Sequence, residues 1–247
     1  MFLSRPSMFA AIVTIVCQPR PLLAMALGMC AVPVLLTAAA EGPQQAKTEQ
    51  ANSSDDGFVE LLNGKDLSGW IVEGAKEYKE GNQSKPVWVV EDGKIICTGK
   101  GFGFLRYEKA YADFILHVEY SMSKGCNSGI GFRTVPFTGP AATRPSFAGY
   151  EIQILDDAGK PPSKHGSGSL YRYLAPKSNP TKPAPQWNVL EIECRGPRIR
   201  VTLNGQLIHD VDQSTIEELK DKPLSGYLCL QNHGKRIEFR NIRVKRL

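Results

Sequence analysis

The chain has 247 residues and a formal net charge of +5 at neutral pH. Two of the positive charges, Arg5 and Arg20, lie in the first 40 residues, and the +3 that remains is dispersed along the rest. So weak and scattered a balance does not indicate a nucleic-acid partner and reads as an ordinary solvated surface.

Taken in chain order, residues 1–40 are apolar and carry no Asp or Glu. The run from Leu22 ends in Thr37-Ala38-Ala39-Ala40 before Glu41, and small residues at Ala38 and Ala40 suit a signal peptidase. The expectation is a secretory leader cleaved near Ala40, hence export to the periplasm or the medium and no membrane contact after cleavage. Gln18-Pro19-Arg20-Pro21 interrupts the leader, so Met8 is an alternative start. A retained membrane anchor is the competing reading. Pro33 weighs against it, as does an apolar stretch marginal for a span of roughly 20 residues. Met29 is too large for the position before a lipidated Cys30. Residues 41–56 are polar, with no aromatic or branched aliphatic side chain, and cannot offset their own ordering entropy, so they read as a linker. The folded domain is placed at residues 57–247, roughly 190 residues, enough for one sizeable core.

From Phe58 on, short alternating runs are separated by turn residues. Pro86 to Val90 and Ile95 to Thr98 flank Asp92-Gly93, and Ile199 to Leu203 and Gln206 to His209 flank Asn204-Gly205; both read as tight hairpins. Phe114 to Tyr120 and Val189 to Cys194 alternate with period two, as half-buried strands do. Gly226 to Leu230 and Ile237 to Val244 supply the last strands. Only Ser214 to Lys220 reads as helix, and it spans barely two turns. Many short strands with almost no helix predict an all-β fold, two antiparallel sheets packed face to face. Three loops interrupt it, Thr134 to Ser146, Asp157 to Ser167 and Ala175 to Pro185. Loops of that length in a compact domain are often functional. The domain holds Cys97, Cys126, Cys194 and Cys229 without C-x-x-C spacing. Disulfides and buried free thiols both remain open.

The order of the motifs carries a resemblance. Gly57-Phe58-Val59-Glu60-Leu61-Leu62-Asn63-Gly64-Lys65-Asp66-Leu67-Ser68-Gly69-Trp70 resembles the opening of the 3-keto-disaccharide hydrolase domain family. The likeness continues through Trp88-Val89-Val90-Glu91-Asp92-Gly93, Tyr111-Ala112-Asp113-Phe114, Cys126-Asn127-Ser128-Gly129-Ile130-Gly131-Phe132-Arg133 and Gly149-Tyr150-Glu151-Ile152-Gln153-Ile154-Leu155-Asp156. It closes with Gln186-Trp187-Asn188, Leu203-Asn204-Gly205, Gln231-Asn232-His233-Gly234 and Phe239-Arg240-Asn241-Ile242. Cys126 stands where a second Gly is usual, and Ser167-Gly168-Ser169-Leu170-Tyr171 replaces a more usual Thr-Gly-Ala start. The resemblance implies a concanavalin A-like jelly roll with a concave sugar-binding face. It also implies cleavage of 3-keto-glycosides, as 3-keto-glucoside 1,2-lyase or 3-keto-2-hydroxyglucal hydratase. The implied partner is an oxidised glucoside or disaccharide made upstream by a glycoside 3-oxidoreductase, with no cofactor of the domain's own.

A C3 ketone acidifies the C2 proton, so the C1 substituent can leave by β-elimination. Such a site needs a base, donors around an enolate oxygen and a proton source. Glu151 and Gln153 lie two apart on one strand and share a face; Glu151 is the candidate base or shuttle and Gln153 a hydroxyl binder, the alternative being solvent-facing strand residues. Arg133 is expected to alternate with Phe132, away from the core, and to meet the enolate, or else to pair with Glu151. His233, at a strand end with Gln231 beside it, is a candidate relay or a turn histidine. Asn127 and Ser128 suit a turn at the sheet edge, Tyr171 and Trp187 could stack on a sugar ring, and His165 sits on a loop that could fold over the site. For Trp70, Trp88 and Trp187 a core position is the favoured reading. Glu151-x-Gln153-x-x-Asp156 echoes the E-x-D-x-x-E strand of laminarinase-like glycosidases, but Gln153 cannot ionise, and Asp156 faces away without a bulge. No His/Asp cluster has transition-metal spacing. Asp156-Asp157 is the one candidate for a divalent cation, with an exposed acidic turn as the alternative. A non-catalytic carbohydrate-binding module and an ordinary two-carboxylate glycosidase remain the competing functions.

Overall fold

A computed structural model describes residues 56–247. The leader assigned to residues 1–40 and the 41–56 linker, apart from Asp56, lie outside the described residues. In chain order the strands are β1 (Val59–Glu60), β2 (Trp70–Gly74), β3 (Glu77–Glu80), β4 (Gln83–Pro86), β5 (Trp88–Glu91), β6 (Lys94–Cys97), β7 (Phe102–Tyr111), β8 (Phe114–Met122) and β9 (Asn127–Thr134). After the one-turn helix α1 (Pro145–Ala148) come β10 (Tyr150–Leu155), β11 (Asn188–Arg195), β12 (Arg198–Leu203), β13 (Gln206–Asp212), β14 (Gly226–His233) and β15 (Ile237–Arg246).

They form two large antiparallel sheets. One has the order β13-β12-β11-β8-β15-β6-β5, with β1 added on β15; the other has the order β10-β9-β14-β7-β2; β3 and β4 make a separate hairpin. The fold is the all-β jelly-roll sandwich. Alternation explains the core. Phe114, Leu116, Val118, Tyr120 and Met122 all point inward from β8. They meet Ile130 and Phe132 of β9 and Ile152 and Ile154 of β10. Phe114 meets Phe132 edge-on at 6.5 Å, and Phe132 stacks on Tyr150 at 5.1 Å. Each such fully buried side chain contributes roughly 1.5–3 kcal/mol. Trp70 and Trp88 belong to this core.

Both expected hairpins form. Asp92 (φ 49°) with Gly93 (φ 70°), and Asn204 (φ 50°) with Gly205 (φ 80°), take the paired left-handed conformation of a twist-matched two-residue turn. The helix is elsewhere than expected. Ser214 to Lys220 holds only a 3-10 turn, Gln213–Thr215, whose first free N–H, on Ser214, donates to the Asp212 carboxylate at 2.9 Å. Gln213 Nε2 then donates to the Leu219 and Lys222 carbonyls, so a side chain takes acceptors that a longer helix would use internally. The α-helix among the described residues is α1, which overlaps the end of the segment read as the Thr134 to Ser146 loop, with Pro145 at its first position where a missing N–H costs nothing. The four cysteines are unpaired and buried.

Candidate active site

The site lies on the outer face of the five-stranded sheet. Register sets Glu151 beside Gly131, Gly131 beside Cys229, and Cys229 beside Arg106. Two residues along, Gln153 faces Gly129 and Gln231 faces Phe104. Further still stand Asn127, and His233 opposite Phe102. The two glycines of β9 keep this floor bare. A Cβ on Gly129 would lie 2.5 Å from Glu151 Oε1, and one on Gly131 would lie 2.5 Å from Cys229 Sγ and 2.7 Å from Pro145 Cβ. Glycine at these alternate positions makes room for a carboxylate and for α1 to settle on the sheet.

Two loops turn the face into a pocket. Phe137 packs on Phe102 (5.8 Å) and Phe104 (5.0 Å) and covers the β7 side. Its backbone N–H donates to Glu73 Oε2 at 2.8 Å, while Glu73 Oε1 accepts from Arg106 Nε at 2.5 Å. The same loop then brings Arg144, Ser146 and Phe147 over β9 and β10. Lys222 Nζ secures its far end, donating to the Gly149 carbonyl at 2.6 Å and the Phe147 carbonyl at 3.0 Å. Burial, with Arg172 nearby, pulls the Lys222 ammonium down to about 8. The second loop is tied by buried Asp157, whose Oδ2 accepts from Ser167 N at 3.0 Å. The chain then runs along the free edge of β10: Gly168 N donates to Gln153 O and Tyr171 N to Glu151 O, each at 2.9 Å. That cover buries β10 on both edges and carries Tyr171 to Glu151. The third loop, Ala175 to Pro185, is held away from the site by Asn204 Nδ2, which donates to Pro180 O at 2.8 Å.

The cavity between the two loops has a volume of about 330 Å3, inside the range of about 300–1,000 Å3 typical of small-molecule sites. Glu151, Gln153, Asn127, Gln231, His233, His165 and Tyr171 line it. So do Phe102, Arg144, Ser146, Phe147 and Arg172, which the sequence reading missed. Glu151 is 5% exposed, and its Oε1 accepts from Gln231 Nε2 at 2.9 Å. Burial pushes its carboxyl up to about 7, against the opposing pull of Gln231, the Ser146 hydroxyl and Arg144. The second polar atom of Gln231, Oε1, is buried without a partner. Burial and Arg144 both lower the His233 imidazole, which stands edge-on to Phe102 at 5.4 Å. His165 is exposed and edge-on to Tyr171 at 5.3 Å. A carboxyl near neutrality beside a histidine held neutral is suited to moving protons at ordinary pH.

Four expectations are corrected. Arg133 is not at the site. Its φ of 48° breaks the alternation of β9, and the side chain turns inward, fully buried, with Nη2 donating to Ala112 O at 2.9 Å and 3.4 Å from Asp113 Oδ1. Ser128 faces the interior, and its hydroxyl donates to Gln231 O at 2.7 Å. It braces the floor from beneath. Asp156 Oδ2 accepts from Gly125 N at 2.7 Å and pins a turn outside the cavity lining. With Asp157 engaged by Ser167 and Asn179, the Asp156-Asp157 pair is occupied in holding loops, and among the described residues no three His, Cys, Asp or Glu side chains converge on a cation position. Trp187 is half-buried under the Arg240 guanidinium at 3.9 Å and does not line the cavity.

Comparison with known proteins follows the same lines. The model of a 3-keto-alpha-glucoside-1,2-lyase-like domain matches residues 57–245. A 3-keto-disaccharide hydrolase of Bacteroides thetaiotaomicron is 28% identical over 241 residues, covering 77% of this chain and 78% of that protein. Two candidate glycosyl hydrolases of Parabacteroides distasonis, each 24% identical, superpose with TM-scores of 0.64 and 0.56. The first alignment covers 78% of this chain and 94% of that one, the second 72% and 99%. At this identity they speak for the fold alone.

Proposed function

Since the chain belongs to the 3-keto-alpha-glucoside-1,2-lyase-like domain family, we propose that it processes carbohydrate by cleaving 3-keto-glycosides at C1, with Glu151 as the proton-transferring group. One observation carries this reading: Glu151 is the one carboxylate in the cavity lining among the described residues, and it is buried with its carboxyl raised to about 7. An ordinary glycosidase needs a second carboxylate about 5–9.5 Å away. Elimination next to a ketone needs only one group able to take and return a proton.

In the proposed reaction Glu151 removes the C2 proton, and the electron pair moves onto the C3 oxygen. Arg144, which already acts electrostatically on Glu151 and His233, faces the enolate charge. The enolate collapses to a C1=C2 double bond, and the C1 oxygen departs with the proton that Glu151 took. Hydration runs the same path with water in place of the alcohol: water adds at C1, Glu151 receives its proton and C2 is protonated. His233, neutral, holds the departing oxygen and then the water by hydrogen bonding. Gln153 and Asn127 meet ring hydroxyls, and Tyr171 offers a ring face. The proposal includes export by the leader at residues 1–40 and an upstream enzyme that oxidises C3.

The test is a 3-keto-disaccharide incubated in D2O beside its unoxidised parent. The expected result is release of the second sugar from the oxidised compound alone, with deuterium at C2 of the product. Retention of the C2 proton, equal cleavage of the parent, or binding without release would each overturn the proposal.

A further inference from the structure

Two arginines differ from all others among the described residues. Every other described arginine donates to a carboxylate or a carbonyl. Arg144 and Arg172 have aromatic faces only, Phe102 at 4.9 Å and Phe147 at 4.0 Å, and both line the cavity. Arg144 is accounted for by the enolate. Arg172 is not: the groups acting on the Glu151 carboxyl are Gln231, Ser146 and Arg144, and the reaction has no use for Arg172.

Its backbone is also unusual. Arg172 has φ 68°, an outlier for a bulky side chain. The conformation is pinned from both sides, by Tyr171 N donating to Glu151 O and by Arg172 N donating to Lys164 O at 2.7 Å. Strain of this kind persists where the surroundings over-determine it, and it collects at ligand sites. The side chain it sets lies flat on Phe147, itself 44% exposed. A guanidinium stacked on a ring keeps its N–H edge free for a bidentate acid.

We infer that Phe147 and Arg172 form a subsite for a leaving group that carries a carboxylate, its carbon skeleton against the Phe147 ring and its acid on the Arg172 fork. This rests on the reaction proposed above for which group is the leaving one, but its test does not. Phenyl glucoside and 4-carboxyphenyl glucoside, unoxidised and in both anomers, are titrated calorimetrically into the chain and into Arg172→Gln and Arg172→Lys, with thermal unfolding confirming that each variant is folded. A charge-assisted pair predicts about tenfold tighter binding of the carboxylated ligand. The advantage should vanish in Arg172→Gln, persist in part in Arg172→Lys, and shrink with added salt, while phenyl glucoside binds all three alike. Equal affinity of the two ligands, an advantage that survives Arg172→Gln, or no binding of either ligand would overturn the subsite. The oxidised-disaccharide assay judges the reaction separately.

Discussion

The outer faces of the two sheets are built from similar residues and treat charge in opposite ways. On the eight-stranded sheet acids and bases interleave and pair. Glu193 lies 2.6 Å from Arg195 and 3.4 Å from Arg200, Asp210 lies 2.8 Å from Arg198, and Glu119 lies 2.8 Å from Arg240. Over the five-stranded sheet Arg106 pairs with Glu73 at 2.5 Å, but the Glu151 carboxyl is buried and raised to about 7, the loop arginines Arg144 and Arg172 pair with no carboxylate, and Gln231 Oε1 has no partner. The first face is neutralised within the fold. The second carries polar groups that the fold alone does not satisfy, and such groups are retained where a ligand completes them.

The sharpest way to break this contrast is Glu151→Gln. Loss of a proton-transferring group is expected to lower kcat by about 10^2–10^4-fold. The same change should stabilise the protein. The folded carboxyl titrates near 7 because burial disfavours its charge, whereas the reference value is 4.5. Between those values the folded state holds a proton that the unfolded state has released, so stability falls as pH rises through this window and stays lowered above it. That cost is roughly 3 kcal/mol by the usual conversion. Glu151→Gln should therefore unfold at a higher temperature than the native chain at pH 8, and at the same temperature below pH 4. In the native chain kcat/KM should rise with pH up to about 7 and then level as the carboxylate fills. A variant that is inactive and also destabilised at pH 8 would put Glu151 with the satisfied charges.

Gly129→Ala probes the floor without touching a charge. Its Cβ would lie 2.5 Å from Glu151 Oε1 and 2.8 Å from Glu151 Cγ. The carboxylate must shift off Gln231, and activity should drop roughly 100-fold, as small displacements of a reacting group do. Overpacking limits the stability loss to about 1–3 kcal/mol. Unfolding in denaturant and kcat/KM measured together separate the two effects. Activity within twofold of native would show that Glu151 tolerates displacement.

Arg133→Gln tests a buried charge away from the cavity, one that Ala112 O and Asp113 engage through Nη2 while Nη1 has no partner. It should cost about 3 kcal/mol, since the Ala112 carbonyl loses its charged donor and volume is lost inside the sandwich. Activity of the folded enzyme should be unchanged. This residue also marks where sequence reasoning stops. Alternation correctly put Glu151 and Gln153 on the outer face and Ile152 and Ile154 inside, because β10 is regular. It failed on the neighbouring strand at Arg133, where one positive φ reverses the side chain, a local event no periodicity records. The hairpins at Asp92-Gly93 and Asn204-Gly205 were legible because only a few residue types tolerate paired left-handed φ. Arg144, Phe147 and Arg172 were not legible, because loop residues acquire a role only when tertiary contacts fold them over a sheet. Gly129 and Gly131 carried a signal that could have been read: alternate glycines in one strand mark a face kept clear for something else.

The smallest effect is expected on the paired face, and it is the control that gives the others meaning. Glu193 holds Arg195 and Arg200 at the surface, where both arginines are exposed and water screens the interaction. Glu193→Gln should change stability by less than about 1 kcal/mol, and the change should disappear in high salt. Catalytic constants should not move. The argument runs through what each acid would lose: Glu193 has solvent ready to replace its partners, so neutralising it releases almost nothing, whereas Glu151 has neither solvent nor a paired base, so neutralising it relieves a cost the fold carries. Equal responses at the two positions, in either stability or rate, would remove the distinction between a solvated surface and a site.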